Sequence, residues 1–177
     1  MELTKKNYHG VKDLTTYPHD ELVKLFLSIP KATTLSILRR FNKSFLEQLF
    51  NSTPHHLAKQ WRMSLMYERD SVGELMQPAP LVLNENLTIK EAVDLVREIP
   101  KQILFTYGMV VNDNNELTGI LVFRDIVYHD KDDLLKDICF KDPVCFDFNE
   151  NVLEVFVRIA GKQIPEYPVL NDQKQLL

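Results

Sequence analysis

The chain has 177 residues, 45% of them hydrophobic and 26% charged, a balance that is ordinary for a globular protein. Its formal charge of -4 provides no basic field, which excludes nucleic acid from the expected partners. The sequence contains no run of about twenty apolar residues that could span a bilayer. We expect no signal peptide, because residues 1–20 are polar. Cys139 and Cys145 stand apart, so we expect small apolar side chains in a reducing cytosol rather than a disulfide framework or a metal motif.

The first seventy residues predict a polar arm followed by an array of short helices. Residues 1–17 show no apolar periodicity, and we expect a loose arm there. Apolar residues then recur at helical spacing in four segments, residues 20–29, 34–41, 45–50 and 54–65. Pro30 ends the first segment, and Thr53-Pro54 predicts a hydroxyl N-cap with proline at the first position of the fourth helix. Isolated helices of this length are marginal, so their apolar faces must pack against other parts of the protein.

Two features of the fourth helix could suggest a ligand. His55 and His56 are adjacent, and adjacent side chains on a helix point about 100° apart, so we predict solvated histidines rather than a metal site. Trp61 lies on the apolar stripe, and we predict that it packs in the core.

Two later segments have the sequence of a helix N-terminus. Ser71 precedes Glu74 by three residues and Thr88 precedes Glu91 by three residues, which predicts two capping boxes. The second is followed by one apolar stripe, formed by Ile89, Ala92, Val93, Val96 and Ile99, and Pro100 ends it. Core packing explains this stripe.

Residues 117–125 predict a buried strand that ends on a polar pair. They follow a turn-forming run at 112–115 and contain Gly119, which can take a backbone conformation that other residues avoid. Ile120–Phe123 has the length of a buried strand, and Arg124 and Asp125 close it. Asp125 could cap the next helix, or the pair could meet a ligand, as polar groups at the C-terminal ends of strands do in open α/β sheets.

The segment His129–Asp133 is charged and resembles a calcium loop superficially. It lacks the glycine and the distant bidentate glutamate that such a loop needs. We predict a solvated turn.

A repeat is visible in the last hundred residues. Asn84-Glu85-Asn86 recurs as Asn149-Glu150-Asn151 at an offset of 65, and Asn112-Asp113 recurs as Asn171-Asp172 at an offset of 59. Such a repeat predicts two copies of one supersecondary unit packed together. In the second copy, Asn151 and Glu154 begin a helix with an apolar stripe of Val152, Val155, Phe156 and Ile159, and Gly161 ends it.

These features together resemble a pair of cystathionine-β-synthase (CBS) domains over residues 70–177. The stretches that carry the resemblance are Val72–Met76, Thr88–Ile99, Met109–Val111 and Gly119–Asp125. With the helical stretch before them and the junction at 67–71, the combination is similar to the cytosolic part of MgtE-type magnesium transporters. We therefore expect an α+β fold with a helical part at 1–70, a first CBS repeat at 71–133 and a second at 134–177. The second repeat is expected to lack its last strand and helix, and the open sheet edge and apolar stripes favour a homodimer.

The resemblance implies a regulatory module without catalytic activity, and no catalytic constellation is visible in the sequence. CBS pairs bind adenine nucleotides, so ATP or AMP is implied. Asp125 would hold the ribose, Arg124 a phosphate, and Ile164, Pro165 and Tyr167 would form the other wall of the cleft. Val122 stands where the family usually has a hydroxyl, which removes one polar contact.

In MgtE-type transporters, Mg²⁺ neutralises an acidic interface, compacts the dimer and closes the pore. The candidate acids here are Glu68, Asp70 and Glu74 at the junction and Asp130, Asp132 and Asp133 in the linker, but individual metal ligands are unknown. The resemblance implies a soluble part on the cytoplasmic side of the membrane, joined to a transmembrane domain of the same parent protein. The alternative is a free-standing CBS sensor of adenine nucleotides that regulates another protein. Hydrophobic spans after residue 177 of the parent reading frame would favour the transporter.

Overall fold

The structure is a computed structural model that describes residues 14–100, 103, 105–162 and 164–177. The chain divides into two compact units between Arg69 and Asp70. The arm expected at residues 1–17 lies mostly outside the described residues. Across the ranges that are described, no helix is both long and apolar enough to cross a membrane.

The described residues of the first unit form four short helices: α1 His19–Ser28, α2 Lys31–Leu38, α3 Lys43–Asn51 and α4 His55–Met66. Their apolar faces form a shared core in which Leu35, Leu38 and Leu49 are fully buried. Trp61 is buried there too and meets Phe26 edge to face, with ring centroids 6.0 Å apart. The predicted packing of Trp61 is confirmed, and so is the exposure of His55 and His56.

Two of the three breaks between these helices lie at the predicted prolines, with one correction. The backbone carbonyls of Pro30 and Pro54 accept the first hydrogen bonds of α2 and α4. The prediction that Thr53 caps α4 is wrong, because its hydroxyl donates to the carbonyl of Leu49, 2.8 Å away. Thr53 therefore satisfies a carbonyl in the last turn of α3, and Pro54 takes the N-cap position of α4.

The second unit contains two small sheets and the helices that flank them. Its elements are α5 Val72–Leu75, β1 Val82–Asn84, α6 Ile89–Arg97, β2 Tyr107–Val111, β3 Leu117–Val122, a 3₁₀ helix Phe123–Tyr128, α7 Leu135–Ile138, β4 Phe146–Asp147, α8 Val152–Ile159 and β5 Val169–Leu170. β1 and β2 pair in parallel, β2 and β3 pair antiparallel, and β4 and β5 pair in parallel. The α+β architecture predicted from the sequence is confirmed.

The upstream half of the predicted repeat has the wrong offset. Asn84 ends β1 and its side chain accepts the N–H of Asn86 at 2.9 Å, while Asp147 ends β4 and accepts the N–H of Asn149 at 2.8 Å. These equivalent turns are 63 residues apart rather than 65, and the helix N-caps Thr88 and Asn151 have the same spacing. Matching the two Asn-Glu-Asn strings therefore gives the wrong alignment of the two copies. The turn after each strand is fixed by the side chain of the residue that ends the strand.

The downstream offset of 59 is confirmed by a repeated turn. Asn112 accepts the N–H of Glu116 at 3.0 Å, and Asn171 accepts the N–H of Gln175 at 2.9 Å. Each turn contains one residue with a positive φ, 63° at Asn115 and 62° at Lys174. The two copies therefore share their backbone geometry despite different sequences.

The leading segment of each repeat is bonded to the other repeat. The N–H of Val72 donates to Glu150 at 2.9 Å, and in return the N–H of Val152 donates to Asp70 at 2.9 Å. The equivalent bonds run from Leu135 to Leu87 at 2.8 Å and from Ile89 to Asp133 at 3.0 Å. Val72 accordingly packs in the core of the second repeat, with Phe146 and Val155. Leu135 packs in the core of the first, with Leu83, Val110 and Leu121.

Only one of the two predicted capping boxes is complete. Thr88 Oγ1 accepts the N–H of Glu91 at 3.3 Å, and the Glu91 carboxylate accepts the N–H of Thr88 at 2.8 Å. The hydrogen bonds from the backbone and then the hydroxyl of Thr88 hold the pKa of Glu91 below its usual value. At the other site, the Ser71 hydroxyl accepts the N–H of Glu74. The Glu74 carboxylate accepts the N–H of Asp70, so the box is not completed.

The predicted stripe of α8 is partly wrong. Val155 is buried and Val152 and Ile159 are partly buried in the second core, but Phe156 is 66% exposed. Phe156 follows Val155 directly, so it points about 100° away from the buried side. Gly161 has a φ of 83° just after the helix, which confirms the predicted helix stop.

Gly119 is required for a close approach and not for an unusual backbone conformation. It pairs with Val110 within β3, and its φ is not positive. A Cβ at this position would lie 2.6 Å from Cys139 Sγ and 2.7 Å from the carbonyl oxygen of Phe140. The approach is fixed because Phe140 and Ile120 exchange two backbone hydrogen bonds, of 2.9 and 3.0 Å. The strand also ends at Val122, one residue earlier than predicted.

We predict that Gly119→Ala lowers the free energy of unfolding by about 1 to 3 kcal/mol, because the new methyl group overpacks a contact that includes backbone. The matched control is Gly108→Ala, whose Cβ would approach the side chain of Leu83 at 3.0 Å rather than a backbone atom. Urea denaturation of both variants measures the effect. An equal loss in the two variants would contradict the backbone origin of the constraint.

Candidate functional site

The predicted polar pair lies directly after β3. Arg124 and Asp125 occupy the first turn of the 3₁₀ helix, and Arg124 Nε lies 3.0 Å from Asp125 Oδ1. Their side chains are 85% and 47% exposed. The prediction that Asp125 caps a helix is wrong, because the helix begins at Phe123 and its N-cap residue is Val122. The carboxylate and the guanidinium are therefore both open to solvent and held next to each other.

The aromatic side chain of Phe123 fixes the position of this pair. Phe123 meets Phe105 edge to face at 5.3 Å between ring centroids, and both pack against the core of the first repeat. With Phe123 anchored inward, the next two residues lie at the surface. Phe123 is predicted as part of the strand, and Phe105 is not predicted as a site residue, because no local spacing rule joins residues on different elements.

The second-repeat residues proposed for the other wall have mixed environments. Ile164 and Pro165 are exposed, whereas Tyr167 packs on Phe146 at 5.1 Å between ring centroids. The hydroxyl of Tyr167 is buried without a hydrogen-bond partner. Within the described residues, no hydrogen bond, ion pair or ring contact joins these three residues to Arg124 or Asp125.

Arg158 is a second-repeat residue that the sequence analysis missed. Its guanidinium carbon lies 4.8 Å from the ring centroid of Phe146, and it forms an ion pair with Glu150. Glu150 precedes Arg158 by eight residues and lies before the start of α8. The helical spacing rules of three and four residues therefore do not predict this ion pair. Arg158 thus lies over the ring of Phe146, which packs on Tyr167.

The candidate acids differ in what they could do. Glu74 is 4% exposed and accepts the backbone N–H of Asp70 at 2.8 Å, so it serves the fold and is not a surface acid. Asp130 and Asp132 are exposed, as predicted for a solvated turn, and Asp133 accepts the N–H of Asp130 at 3.0 Å. No group of three or more histidine, cysteine, aspartate or glutamate residues that could hold a metal ion occurs in the described part of the chain.

Neither cysteine has the environment of a reactive thiol. Cys139 is buried in the first core, as predicted for an apolar side chain. Cys145 is half-buried and its thiol contacts the carbonyl of Pro143 at 3.2 Å. Burial raises the pKa of Cys145, with a smaller opposing effect from Lys174, so the nucleophilic thiolate is disfavoured.

We predict that Tyr167→Phe leaves the protein as stable as before or up to about 1 kcal/mol more stable, because it removes a buried hydroxyl that has no partner. Thr34→Val is the contrasting control, since the Thr34 hydroxyl is buried and donates to the Phe26 carbonyl at 2.9 Å. That variant should lose about 1 kcal/mol or more. Thermal unfolding of both proteins gives the comparison, and a clear loss in Tyr167→Phe would reveal a partner for the hydroxyl.

Comparisons with known proteins agree with these features. The family model described as "CBS domain" matches residues 72–132. The magnesium transporter MgtE of Bacillus subtilis is 24% identical over 123 residues, covering 68% of this chain and 27% of the transporter. The chain therefore spans about a quarter of the length of that curated relative.

Two solved structures share the fold across both units. The soluble part of a magnesium transporter matches with a TM-score of 0.74 and 19% identity, covering 98% of this chain and 68% of that one. The cytosolic domain of the Mg²⁺ channel MgtE in complex with ATP matches with a TM-score of 0.71 and 19% identity, covering 94% of this chain and 73% of that one. Residues 72–132 thus match the CBS-domain family, and the chain is similar in sequence and in fold to the cytosolic region of MgtE-type magnesium transporters.

Proposed function

We propose that this chain is the cytosolic regulatory portion of a magnesium transporter, without catalytic activity of its own, that responds to Mg²⁺ and to adenine nucleotide. The observation that carries the proposal is the fold similarity to the soluble part of a magnesium transporter, which covers 98% of this chain. The sequence relationship to the Bacillus subtilis transporter supports the same assignment. The identity of the transported ion and the presence of a transmembrane partner domain are inferred from these relatives.

The exposed pair Arg124–Asp125 supports a nucleotide site. A guanidinium carries five N–H donors and binds phosphate in a bidentate manner, and one of those donors is engaged by Asp125 at 3.0 Å. The Asp125 carboxylate accepts hydrogen bonds and so suits ribose hydroxyls. Ile164 and Pro165 offer exposed apolar surface for a base, and Tyr167 is held against Phe146. Because Val122 offers no hydroxyl, weak binding is expected.

The acids support a Mg²⁺ response that is spread over several residues. Glu74 is engaged with the backbone, which leaves Glu68 and Asp70 near the unit boundary and three aspartates in the linker, Asp130, Asp132 and Asp133. Lys131 offsets part of the linker charge. A divalent cation relieves repulsion between like charges, so any state that brings these acids closer to other acids is favoured when Mg²⁺ is present.

A homodimer is part of the proposal. Leu153, Phe156 and Val157 on α8 are each more than half exposed, and contiguous exposed apolar side chains on a helix are typical of an interaction surface. A second copy of the chain is the expected occupant, as the resemblance implies.

We predict that ATP at about 5 mM raises the melting temperature by roughly 2 to 4 °C if the dissociation constant is about 1 mM, because a ligand of the native state stabilises it by mass action. Asp125→Ala should lose most of this rise. The matched control is Asp94→Ala, since Asp94 is also an exposed carboxylate paired with a neighbouring arginine, Arg97. Thermal shift assays in Mg²⁺-free buffer of fixed ionic strength compare the three proteins, and equal rises would exclude Asp125 as the ribose contact.

We predict a small decrease in the radius of gyration between 0 and about 20 mM MgCl₂, measured by small-angle X-ray scattering at ionic strength held constant with KCl. Constant ionic strength is required because screening alone relaxes charge repulsion. Changing Asp130, Asp132 and Asp133 together to asparagine should reduce the response, and asparagine keeps the acceptor that Asp133 offers to Asp130.

The control variant carries Asp20→Asn and Glu21→Gln, which remove the two acids in the first turn of α1.

Sedimentation velocity on the same samples reports whether the chain is a dimer, and a monomer at tens of micromolar would contradict the homodimer. A protein that responds to ATP but not to Mg²⁺ would favour the free-standing nucleotide sensor.

A further inference from the structure

The helical unit contains an open cavity that the proposed function does not use. It has a volume of about 540 Å³ and lies between the end of α3 and one face of α4. Cavities of a few hundred Å³ with mostly apolar walls and a few polar groups are typical ligand sites. Its chemistry is therefore informative about a possible occupant.

One stripe of α4 lines the cavity. His55, Lys59, Arg62 and Met66 follow one another at spacings of four, three and four residues, which places them along one side of a helix. Of the described residues that line the cavity, none is an aspartate or a glutamate. Helix geometry makes the stripe about 16 Å long, at about 1.5 Å per residue. That length corresponds to two or three helical turns of a bound segment rather than to a small anion.

The two fully charged side chains of this stripe are held differently. Arg62 donates to Glu47 at 2.8 Å, and its guanidinium carbon lies 5.1 Å from the ring centroid of Phe50. This orients the guanidinium over the aromatic wall and leaves further N–H donors for an acceptor. Lys59 is exposed and has no ion pair among the described residues. A carboxylate that enters the cavity thus meets the oriented guanidinium of Arg62. It also meets the ammonium of Lys59, which has no ion-pair partner among the described residues to displace.

Part of the cavity lining is apolar. Phe50 and Ala58 are buried, Met63 is half-buried and Met66 is 84% exposed. Methionine is flexible and polarizable and adapts its shape to different apolar side chains, which suits peptide-binding surfaces. An exposed methionine beside a cationic stripe favours a ligand with an apolar group and several negative charges.

We propose that this cavity is a docking site for an acidic segment of a partner protein. The segment inserts one aliphatic or aromatic side chain between Phe50 and Met66 and places carboxylates on Lys59 and Arg62. Charge complementarity and the exposed methionine carry the proposal, in the manner of helix-in-groove recognition. It requires neither nucleotide nor Mg²⁺, so it stands or fails independently of the regulatory function proposed above.

The test is a selection of random 12-residue displayed peptides on the whole 177-residue chain, with counter-selection on the Lys59→Glu variant. Enriched peptides should carry an excess of aspartate and glutamate and at least one leucine, phenylalanine or tryptophan. Fluorescence polarization with one enriched peptide should give a dissociation constant at least tenfold higher for Lys59→Glu and several-fold higher for Met66→Ser. Raising the salt concentration should weaken binding further, because screening reduces charge attraction.

Lys43→Glu is the matched control, since Lys43 is an exposed lysine at the first residue of α3 and lies outside the cavity lining. Its dissociation constant should change less than twofold. Circular dichroism establishes that every variant is folded. A selection that enriches no peptide, enriched peptides that are basic, or equal effects of Lys59→Glu and Lys43→Glu would each overturn the proposal.

Discussion

The second unit depends on a reciprocal exchange of backbone hydrogen bonds between its two repeats. The leading helix of each repeat is bonded to the strand-to-helix turn of the other, through Val72 and Glu150 on one side and Leu135 and Leu87 on the other. A second symmetric pair of bonds joins the hairpin turns, from Leu117 to Lys174 at 3.2 Å and from Leu176 to Asn115 at 3.0 Å. Neither core is complete without residues from the other repeat, because Val72 fills one and Leu135 fills the other. The matched family span of 72–132 therefore begins with a helix that packs in the second repeat and omits the helix that completes the first.

The same exchange determines the position of the candidate nucleotide site. With Leu135 anchored in the first core, Phe140 pairs with Ile120 at the edge of β3 and leaves no room for a side chain at Gly119. β3 is thereby held between β2 and Phe140, which follows α7, and its end presents Arg124 and Asp125 to solvent. The glycine and the acid at the two ends of this motif thus have separate physical roles. The glycine allows the close approach of Cys139 and Phe140, and the acid is paired with Arg124 at the surface.

Local patterns in the sequence predicted the elements, and interactions across the chain decided the rest. The capping box at Thr88 and the turn at Asn112 are satisfied within five residues, so sequence reasoning found them. Thr53 and Glu74 were misassigned because a competing backbone group lay within reach of each side chain, at 2.8 Å in both cases. The polar pair could be predicted as a feature at a strand end. Its supporting contact between Phe105 and Phe123 could not, because it joins residues on different elements.

The two repeats have the same backbone plan but different outer surfaces. At the structural offset of 63, Lys90 and Asp94 on α6 correspond to Leu153 and Val157 on α8. The first helix therefore presents charges to solvent, including the ion pair between Asp94 and Arg97, whereas the second presents apolar side chains that are mostly exposed. An exposed apolar face is unfavourable in water unless something covers it, while a charged face needs no partner. The first repeat thus carries the open polar pair and a solvated helix, and the second carries the exposed apolar surface proposed above as the dimer contact. This division of roles follows from substitutions on the outer sides of two equivalent helices and requires no change in the fold.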